Sequence, residues 1–197
     1  MPYDPARHHR RSIRLQGYDY SLPGAYFVTL VTRGRELLFG KIAAGEMIPS
    51  QFGRLVERAW LDLPRHYPQV TLDVFCLMPN HMHGIIVLVD SMGRGGSARA
   101  GQGYREHWID AGDEAIMREV TRPLENELTR HGIPEIVRAL KSYSSRRINH
   151  ARNTPGKSVW QRNYYEHIVR NERELEAIRA YILGNPLNWE DDPEYTL

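Results

Sequence analysis

Two histidines one residue apart, His81 and His83, are the first groups in this sequence with a spacing suited to chemistry. They fall in a stretch that is typical of a β-strand, where side chains alternate between faces, so both imidazoles project from one face about 7 Å apart. Two imidazoles at that spacing can bind one metal ion if the strand curls slightly and a third group closes the site. The alternative is a pair of half-exposed sheet residues. Because the apolar run 84–89 follows directly, two polar groups where core residues are expected favour a ligand.

Tyrosine hydroxyls are the second kind of candidate group. Four of them lie in regions that are candidates for a site: Tyr143, Tyr164, Tyr165 and Tyr181. A phenol has a pKa near 10 and is a weak nucleophile at neutral pH unless a base or a nearby cation activates it. Tyr143 belongs to a basic helix, and Tyr181 has Asn185 one helical turn away on the same face. The residue types alone do not rank these four, and for Tyr181 a packing role is the alternative because isoleucines share its helix.

Hydrophobic periodicity and turn residues predict the elements that must position these groups. Runs rich in β-branched and aromatic residues predict strands at 26–32, 70–78, 81–89 and 158–168. Helical spacing of apolar residues predicts helices at 51–65, at 133–148, and from a cap at Asn171 to a stop at Gly184. The second and third strands are separated only by Pro79-Asn80, which predicts an antiparallel hairpin.

The order of these elements predicts the fold class. Without its last helix the series is βαββαβ, the order of a ferredoxin-like α+β sandwich with an antiparallel sheet and helices on one face. The other sheet face is then free for a site. We expect one domain over residues 24–189, preceded by a basic arm at 1–23 and followed by an acidic tail at 190–197. A glycine-rich, partly flexible insertion is expected at about 91–132.

Composition indicates a soluble globular protein. The chain has 197 residues, of which 41% are hydrophobic and 25% charged. No apolar run approaches the roughly 20 residues that cross a bilayer, and the N-terminus has no secretory h-region. The single cysteine, Cys76, lies in an apolar run and excludes an intramolecular disulfide. We therefore expect a cytoplasmic protein with no membrane partner.

Basic residues cluster although the net charge is only +2. A face that collects such residues can hold nucleic acid, and solvated surface charge is the alternative. The candidate phosphate contacts are Arg10, Arg11, Arg14, Lys141, Arg146 and Arg147. Trp160 and Tyr164 are candidates for stacking on unpaired bases, with core packing as the alternative.

Three motifs carry a resemblance to a known family. The run Leu77-Met78-Pro79-Asn80-His81-Met82-His83-Gly84-Ile85 closely resembles the His-hydrophobic-His (HUH) motif of single-tyrosine transposases. The runs 159–167 and 181–186 resemble segments of the REP-associated branch of that family. The motifs occur in the family's order and span most of the chain, from about Tyr26 to Trp189. The fold that the resemblance implies is the same ferredoxin-like sandwich.

The resemblance also implies roles for individual residues. His81 and His83 match the metal ligands, and Tyr181 matches the nucleophile, carried by the C-terminal helix. Asn185 matches a further, amide-bearing metal ligand.

Other positions match the family pattern with less specific roles. The run around Trp160, Gln161 and Arg162 is implied to contact DNA. Glu166 and His167 are implied to support the site, and for His167 a hydrogen-bonded structural role is the favoured alternative to a ligand or proton carrier.

The function implied is that of a DNA transposase. Such an enzyme cleaves hairpin-bearing, REP-like single-stranded DNA through a 5′-phosphotyrosine intermediate, with Mg²⁺ or Mn²⁺, and acts as a monomer or a homodimer. Three alternatives stay open: a replication-initiator-like HUH nickase, a domesticated sequence-specific DNA-binding protein without catalysis, and a metal hydrolase of small phosphoesters.

Overall fold

The structure, a computed structural model, describes residue 15, residues 17–90 and residues 131–195. The expectations for Arg10, Arg11 and Arg14 and for most of the predicted insertion lie outside these residues. The described chain forms six strands: β1 (Gly24–Val31), β2 (Gly40–Ala43), β3 (Glu46–Pro49), β4 (Val70–Leu77), β5 (His81–Leu88) and β6 (Tyr165–Val169). It forms four α-helices: α1 (Gln51–Leu61), α2 (Leu63–His66), α3 (Ile133–Ala151) and α4 (Glu172–Gly184).

Four strands form one antiparallel sheet in the order β4-β5-β1-β6. The two edge strands, β4 and β6, therefore flank the pair formed by β1 and β5. This is the strand order that results when two βαβ units interlock, and it confirms the predicted ferredoxin-like α+β sandwich. The predicted hairpin of the second and third strands is also confirmed, as β4 and β5.

One face of the sheet packs against α1 and α3 and holds the main hydrophobic core. On β5 this face carries Met82 and Ile86, both fully buried. Gly84 lies between them, and a Cβ built on it would stand 2.5 Å from the indole of Trp60. Trp60, on α1, also stacks on Phe75 of β4. Because glycine has no Cβ, the Trp60 indole can approach the sheet closely at position 84.

The opposite face carries the histidines and is covered in part by α4. Here the pairing register places His83 of β5 opposite Thr29 of β1, and Thr29 opposite Tyr165 of β6. Because paired residues share a face, the three side chains form one row across the sheet. A small apolar cluster of Phe27, Ile85 and Ile182 lies next to this row and joins α4 to the strands.

Two predicted elements are shorter or interrupted in the structure. The helix expected at 51–65 begins at its Ser50 cap, whose hydroxyl accepts hydrogen bonds from the amides of Phe52 and Gly53. It is split into α1 and α2 because Pro64 lacks the amide that a continuous helix needs. The strand expected at 158–168 is reduced to β6 and a single bridge between Trp160 and Thr32.

Three elements were not predicted. These are the small β2–β3 hairpin and the 3₁₀ helices at Arg33–Arg35 and Asn185–Asp191. Each is short, so its hydrophobic periodicity is too brief to be recognised. In the described part of the chain, no helix has the length and apolarity needed to cross a membrane.

Candidate active site

The two histidine side chains converge on one point. His81 and His83 are both buried, at 0% and 3% exposed. Their Nε2 atoms lie 3.0 Å apart. The imidazole tips thus lie much closer than the spacing along an ideal strand, as a shared metal ion requires.

The other ring nitrogens are held by neighbours. His81 Nδ1 lies 2.8 Å from Asn80 Oδ1. The Asn80 amide nitrogen donates to the carbonyls of Arg35 and Glu194, so its oxygen must face His81 and accept a proton from Nδ1. That arrangement leaves the lone pair on His81 Nε2. His83 Nδ1 lies 2.8 Å from the Thr29 hydroxyl, and this contact fixes the orientation of the His83 ring.

His81 is held in its neutral form. Burial, the largest effect, and the neighbouring His83 lower the pKa of His81 to about 3, while Asp192 acts in the opposite direction. A metal-binding imidazole must be neutral, so the environment of His81 suits a ligand.

A carboxylate from the C-terminal segment completes the cluster. Asp192 Oδ2 lies 3.8 Å from His81 Nε2 and 3.9 Å from His83 Nε2. Burial raises the pKa of Asp192, but interactions with His83 and with the Glu194 amide outweigh it, so the pKa lies below its ordinary value. Residues 190–195, which we expected to belong to a tail, therefore contribute to the site.

The Tyr181 hydroxyl reaches this cluster from α4. It lies 3.4 Å from His83 Nε2, and the two rings meet edge to face with centroids 5.3 Å apart. The side chain is 46% exposed, so a ligand in solvent can reach it. Burial raises the pKa of Tyr181 and Asp192 adds to the effect, while a hydrogen bond with Asn185 opposes them.

Asn185 follows α4 and is 3% exposed. Its Oδ1 atom is buried and has no hydrogen-bond partner in the structure. Leaving a buried carbonyl oxygen without a donor is costly, so this atom is expected to have a partner that a bare protein chain does not supply.

The residues present fit a divalent cation. The nearest ligand atoms of His81, His83 and Asp192 all lie within 4.8 Å of one another. Two imidazole nitrogens, a carboxylate oxygen and an amide oxygen form a donor set that suits Mn²⁺, and the oxygens suit Mg²⁺.

Two sequence comparisons identify relatives of this chain. An uncharacterized protein of Haemophilus influenzae is 36% identical over 193 residues, a match that covers 98% of this chain and 97% of the relative. The family described as IS200-like transposases matches residues 124–185, a segment that contains both Tyr181 and Asn185. The chain belongs to the IS200-like transposase family.

Two solved structures resemble this member of the family. One, a REP-associated tyrosine transposase bound to a REP hairpin, has a TM-score of 0.53 and 18% identity, with 91% of this chain and 81% of that chain covered. It supports the fold. The other is a putative transposase from Deinococcus radiodurans, with a TM-score of 0.41, 16% identity, and coverage of 87% and 96% of the two chains.

The two residues predicted to support the site lie on different faces of the transposase sheet. His167 pairs with Phe27 and shares the face of His83, and its Nε2 lies 2.7 Å from Glu174 of α4. Its contact is therefore with the helix that carries Tyr181. Glu166 pairs with Val28 and points to the opposite face, so the structure separates it from the histidines.

Two of the predicted DNA contacts have structural partners. Trp160 is 4% exposed, packs on Phe39 and donates its indole N–H to Ser144. The expectation that it stacks on DNA bases is corrected, since its faces are in the core. Lys141 Nζ donates to the carbonyls of residues 161–163, and burial lowers the pKa of Lys141 to about 8. All three ammonium protons are therefore used to hold the loop before β6.

Other predicted basic residues line a groove of about 790 Å³ between α3 and the loop at 153–162. Its exposed basic side chains are Arg146, His150, Lys157 and Arg162, with Gln161 also at its wall. No carboxylate belongs to the described residues that line it. Arg147 instead lies over the ring of Tyr143, 4.7 Å from its centroid.

Sequence reasoning missed several residues of the site. Thr29 and Asn80 orient the histidines, and a threonine in a strand carries no signal of such a contact. Asp192 was missed because it lies in an acidic run that is typical of a solvated tail. The available signal was its position seven residues after Asn185, because one short helix between the two residues can place Asp192 at the same site as Asn185.

Proposed function

We propose that this protein is a DNA strand transferase that cuts single-stranded DNA with Tyr181 as the nucleophile. The observation that carries the proposal is the 3.4 Å contact between the Tyr181 hydroxyl and His83 Nε2, where His81 and the Asp192 carboxylate also converge. A nucleophile, a cation site and an exposed approach in one place are what phosphodiester cleavage requires.

His81 and His83 would hold a divalent cation, Mg²⁺ or Mn²⁺, with Asn185 and Asp192 as the oxygen donors. When bound, the cation withdraws electron density from a non-bridging phosphate oxygen and stabilises charge on the leaving oxygen. Asn80 and Thr29 keep the two imidazoles in orientation by holding their Nδ1 atoms.

The reaction exchanges one phosphate ester for another. The Tyr181 oxygen bonds to phosphorus and loses its proton, and the bond from phosphorus to the 3′-oxygen breaks, with that oxygen taking up a proton. The products are a 5′-phosphotyrosine and a free 3′-hydroxyl. Because the ester energy is kept in the covalent link, attack by a 3′-hydroxyl of another strand reverses the step without ATP.

The competing tyrosines are less well placed. Tyr143 is on α3, which packs on the other side of the sheet. Tyr164 is packed against that same core. Tyr165 is exposed on the site's face, but its recorded ring contact is with Phe27 rather than with a histidine. Only Tyr181, among the described tyrosines, has a recorded contact with the His83 ring.

We propose hairpin-bearing DNA of the REP type as the substrate. The similar solved transposase has a REP hairpin bound, and the basic groove offers a surface of the right charge for a DNA backbone. The groove also leads towards the site, because Val31 pairs with His81 on one side and its carbonyl accepts from the amide of Gln161 on the other. Since one chain supplies every group of the site, a monomer suffices, and a homodimer is the alternative.

The test is incubation of the protein with labelled single-stranded DNA that carries an imperfect hairpin, in the presence of Mn²⁺. We expect a covalent protein–DNA adduct that resists denaturation and is lost in Tyr181→Phe. Tyr165→Phe is the matched control, an equally exposed tyrosine on the same face, and it should form the adduct normally. His81→Ala and His83→Ala should abolish the adduct while largely preserving DNA binding.

Other outcomes distinguish the alternatives. A binding module retards the DNA and never forms an adduct, and a hydrolase of small phosphoesters cleaves its ester without one. Normal adduct formation by Tyr181→Phe would refute the assignment of the nucleophile.

A further inference from the structure

The helix that carries Tyr181 has only a narrow apolar contact with the sheet. Of the residues of α4, Ile182 alone is buried, and it packs with Phe27 and Ile85. Leu175 and Ile178 are only partly buried against that cluster. Because a helix of this length is ordinarily held by a continuous apolar stripe, this contact by itself fixes its position weakly.

At the edge formed by β4, a bidentate ion pair joins α4 to the sheet. Arg179 Nε lies 3.1 Å from Asp73 Oδ1, and Arg179 Nη2 lies 2.5 Å from Asp73 Oδ2. The Asp73 side chain is only 17% exposed. Burial raises the pKa of Asp73, but the bonds to Arg179 and to the Val74 amide outweigh this and lower the pKa. Two parallel hydrogen bonds fix direction as well as distance.

An irregularity in β4 makes this pair possible. The pairing of β4 with β5 shifts register between Leu72 and Phe75. Within that interval Asp73 bonds to Arg179 while Val74 joins the apolar cluster beneath α4. In a regular strand two successive side chains point to opposite faces, so the bulge is what turns both of them to the helix.

At the edge formed by β6, hydrogen bonds to Glu174 hold the first turns of α4. His167 Nε2 lies 2.7 Å from Glu174 Oε1, and the Arg170 amide donates to Glu174 Oε2 at 2.7 Å. The Glu174 amide in turn donates to the cap residue Asn171. The helix is therefore joined to both outer strands of the sheet, which are separated by two strands.

We propose that these two contacts, the Asp73–Arg179 ion pair and the His167–Glu174 hydrogen bond, form a two-edge clamp that sets the position of the Tyr181 hydroxyl over His83. The inference rests on the proposed function, since it assigns positioning residues for the same reaction. Arg179 is two residues from Tyr181, so its bond to Asp73 fixes the adjoining turn.

The physical reason is that packing does not hold the nucleophile itself. The Tyr181 side chain is 46% exposed, and its hydroxyl has a contact of 3.4 Å with His83. A misplacement of about 1 Å in a reacting group can lower a rate on the order of 100-fold. Fixing the helix at both edges restricts its rotation and sliding, and thereby keeps the hydroxyl within reach of the phosphate.

The test compares Arg179→Gln with Arg179→Lys and with Glu176→Gln. Glu176 is an exposed partner of Arg179 on the same helix, so its substitution removes a surface contact and leaves the bond to Asp73. Three quantities are measured: the single-turnover rate of adduct formation, the affinity for hairpin DNA, and hydrogen–deuterium exchange of the α4 amides.

We expect Arg179→Gln to slow adduct formation about tenfold and to speed exchange within α4, with DNA affinity and melting temperature close to those of the unsubstituted protein. Arg179→Lys keeps the positive charge but loses the bidentate geometry of the guanidinium. Its adduct-forming rate and α4 exchange should therefore be intermediate between those of Arg179→Gln and of the unsubstituted protein. Glu176→Gln should behave like the unsubstituted protein.

The clamp is refuted if Arg179→Gln leaves both the rate and the exchange unchanged, or if Glu176→Gln slows the reaction equally. Absence of any adduct with the unsubstituted protein would instead refute the proposed function. In that case the exchange of the α4 amides still decides whether the ion pair fixes the helix.

Discussion

At the scale of single residues, the site depends on which ring nitrogen of each histidine is free. His81 and His83 have their Nδ1 atoms held by Asn80 and Thr29, so both Nε2 atoms face the same point. Partners of this kind fix the orientation of a ligand and its basicity. Thr29 and Asn80 are therefore as much part of the site as the histidines.

We predict that Thr29→Val weakens cation binding. Valine has nearly the same shape and keeps the strand, but it removes the hydroxyl that lies 2.8 Å from His83 Nδ1. Loss of such a partner typically lowers metal affinity on the order of 10- to 100-fold. Titration with Mn²⁺, followed by electron paramagnetic resonance or calorimetry, measures the change.

Thr71→Val is the control for this substitution, because Thr71 lies on β4 opposite Val87, away from His83. It should bind Mn²⁺ as the unsubstituted protein does. An unchanged affinity in Thr29→Val would mean that the hydroxyl does not orient the ring.

At the scale of elements, the sheet brings distant parts of the sequence into one row. β5 supplies the histidines, β1 supplies Thr29, and β6 places His167 against α4. The alternation of faces on β5 also means that Met82 and Gly84, on either side of His83, face the core. Packing beneath the sheet and chemistry above it therefore share a single strand.

We predict that Gly84→Ala destabilises the protein. Its Cβ would stand 2.5 Å from the Trp60 indole, which is buried and stacked on Phe75 and has little room to move. Overpacking of this kind lowers the free energy of unfolding by about 1–3 kcal/mol. Thermal or urea denaturation measures the loss.

Gly184→Ala is the matched control at the end of α4. There the added Cβ meets only the Asn188 amide nitrogen at 3.5 Å, an ordinary contact. Since alanine favours the helical conformation, the free energy of unfolding should stay the same or rise slightly. Equal stability of the two variants would contradict the close approach of Trp60.

At the scale of the whole molecule, charge is separated between two surfaces. The groove beside α3 is lined by basic side chains, whereas the acidic residues Glu172 and Glu176 of α4 lie beside Arg179 of the two-edge clamp. A backbone held in the groove lies along the loop that pairs with the end of β1, next to His81. Under the proposed function, the surface that binds DNA and the site that cleaves it are therefore distinct, and the loop that pairs with β1 connects them.

We predict that the groove controls the salt dependence of DNA binding. Each phosphate contact releases condensed cations, so removing it weakens binding and flattens the dependence on salt. For the triple variant Arg146→Gln, Lys157→Gln, Arg162→Gln, the slope of log K against log salt should fall in magnitude by about two to three. Fluorescence anisotropy with hairpin DNA over a range of salt concentrations measures it.

The control is Arg54→Gln, an exposed arginine of α1 outside the groove. Its salt slope should match that of the unsubstituted protein. If the triple variant also keeps that slope, the DNA backbone is bound elsewhere.

The sequence by itself determined the elements that repeat a local pattern. The alternation around His81 and His83 placed both rings on one face, and the order of strands and helices led to the ferredoxin-like sandwich that the structure confirms. Asn171 was predicted as a helix cap, and its side chain accepts from the Glu174 amide. Such features depend on residues a few positions apart, so they can be predicted from the local sequence.

Only the tertiary structure decided which side chains meet. The Asp192 carboxylate lies 3.8 Å from His81 Nε2, and Arg179 bonds to Asp73, 106 residues away along the chain. The packing of Trp160 in the core and the bonds of Lys141 to the loop before β6 arise for the same kind of reason. A contact between distant residues depends on how the sheet and helices pack as a whole, and that packing leaves no periodic trace in either segment alone.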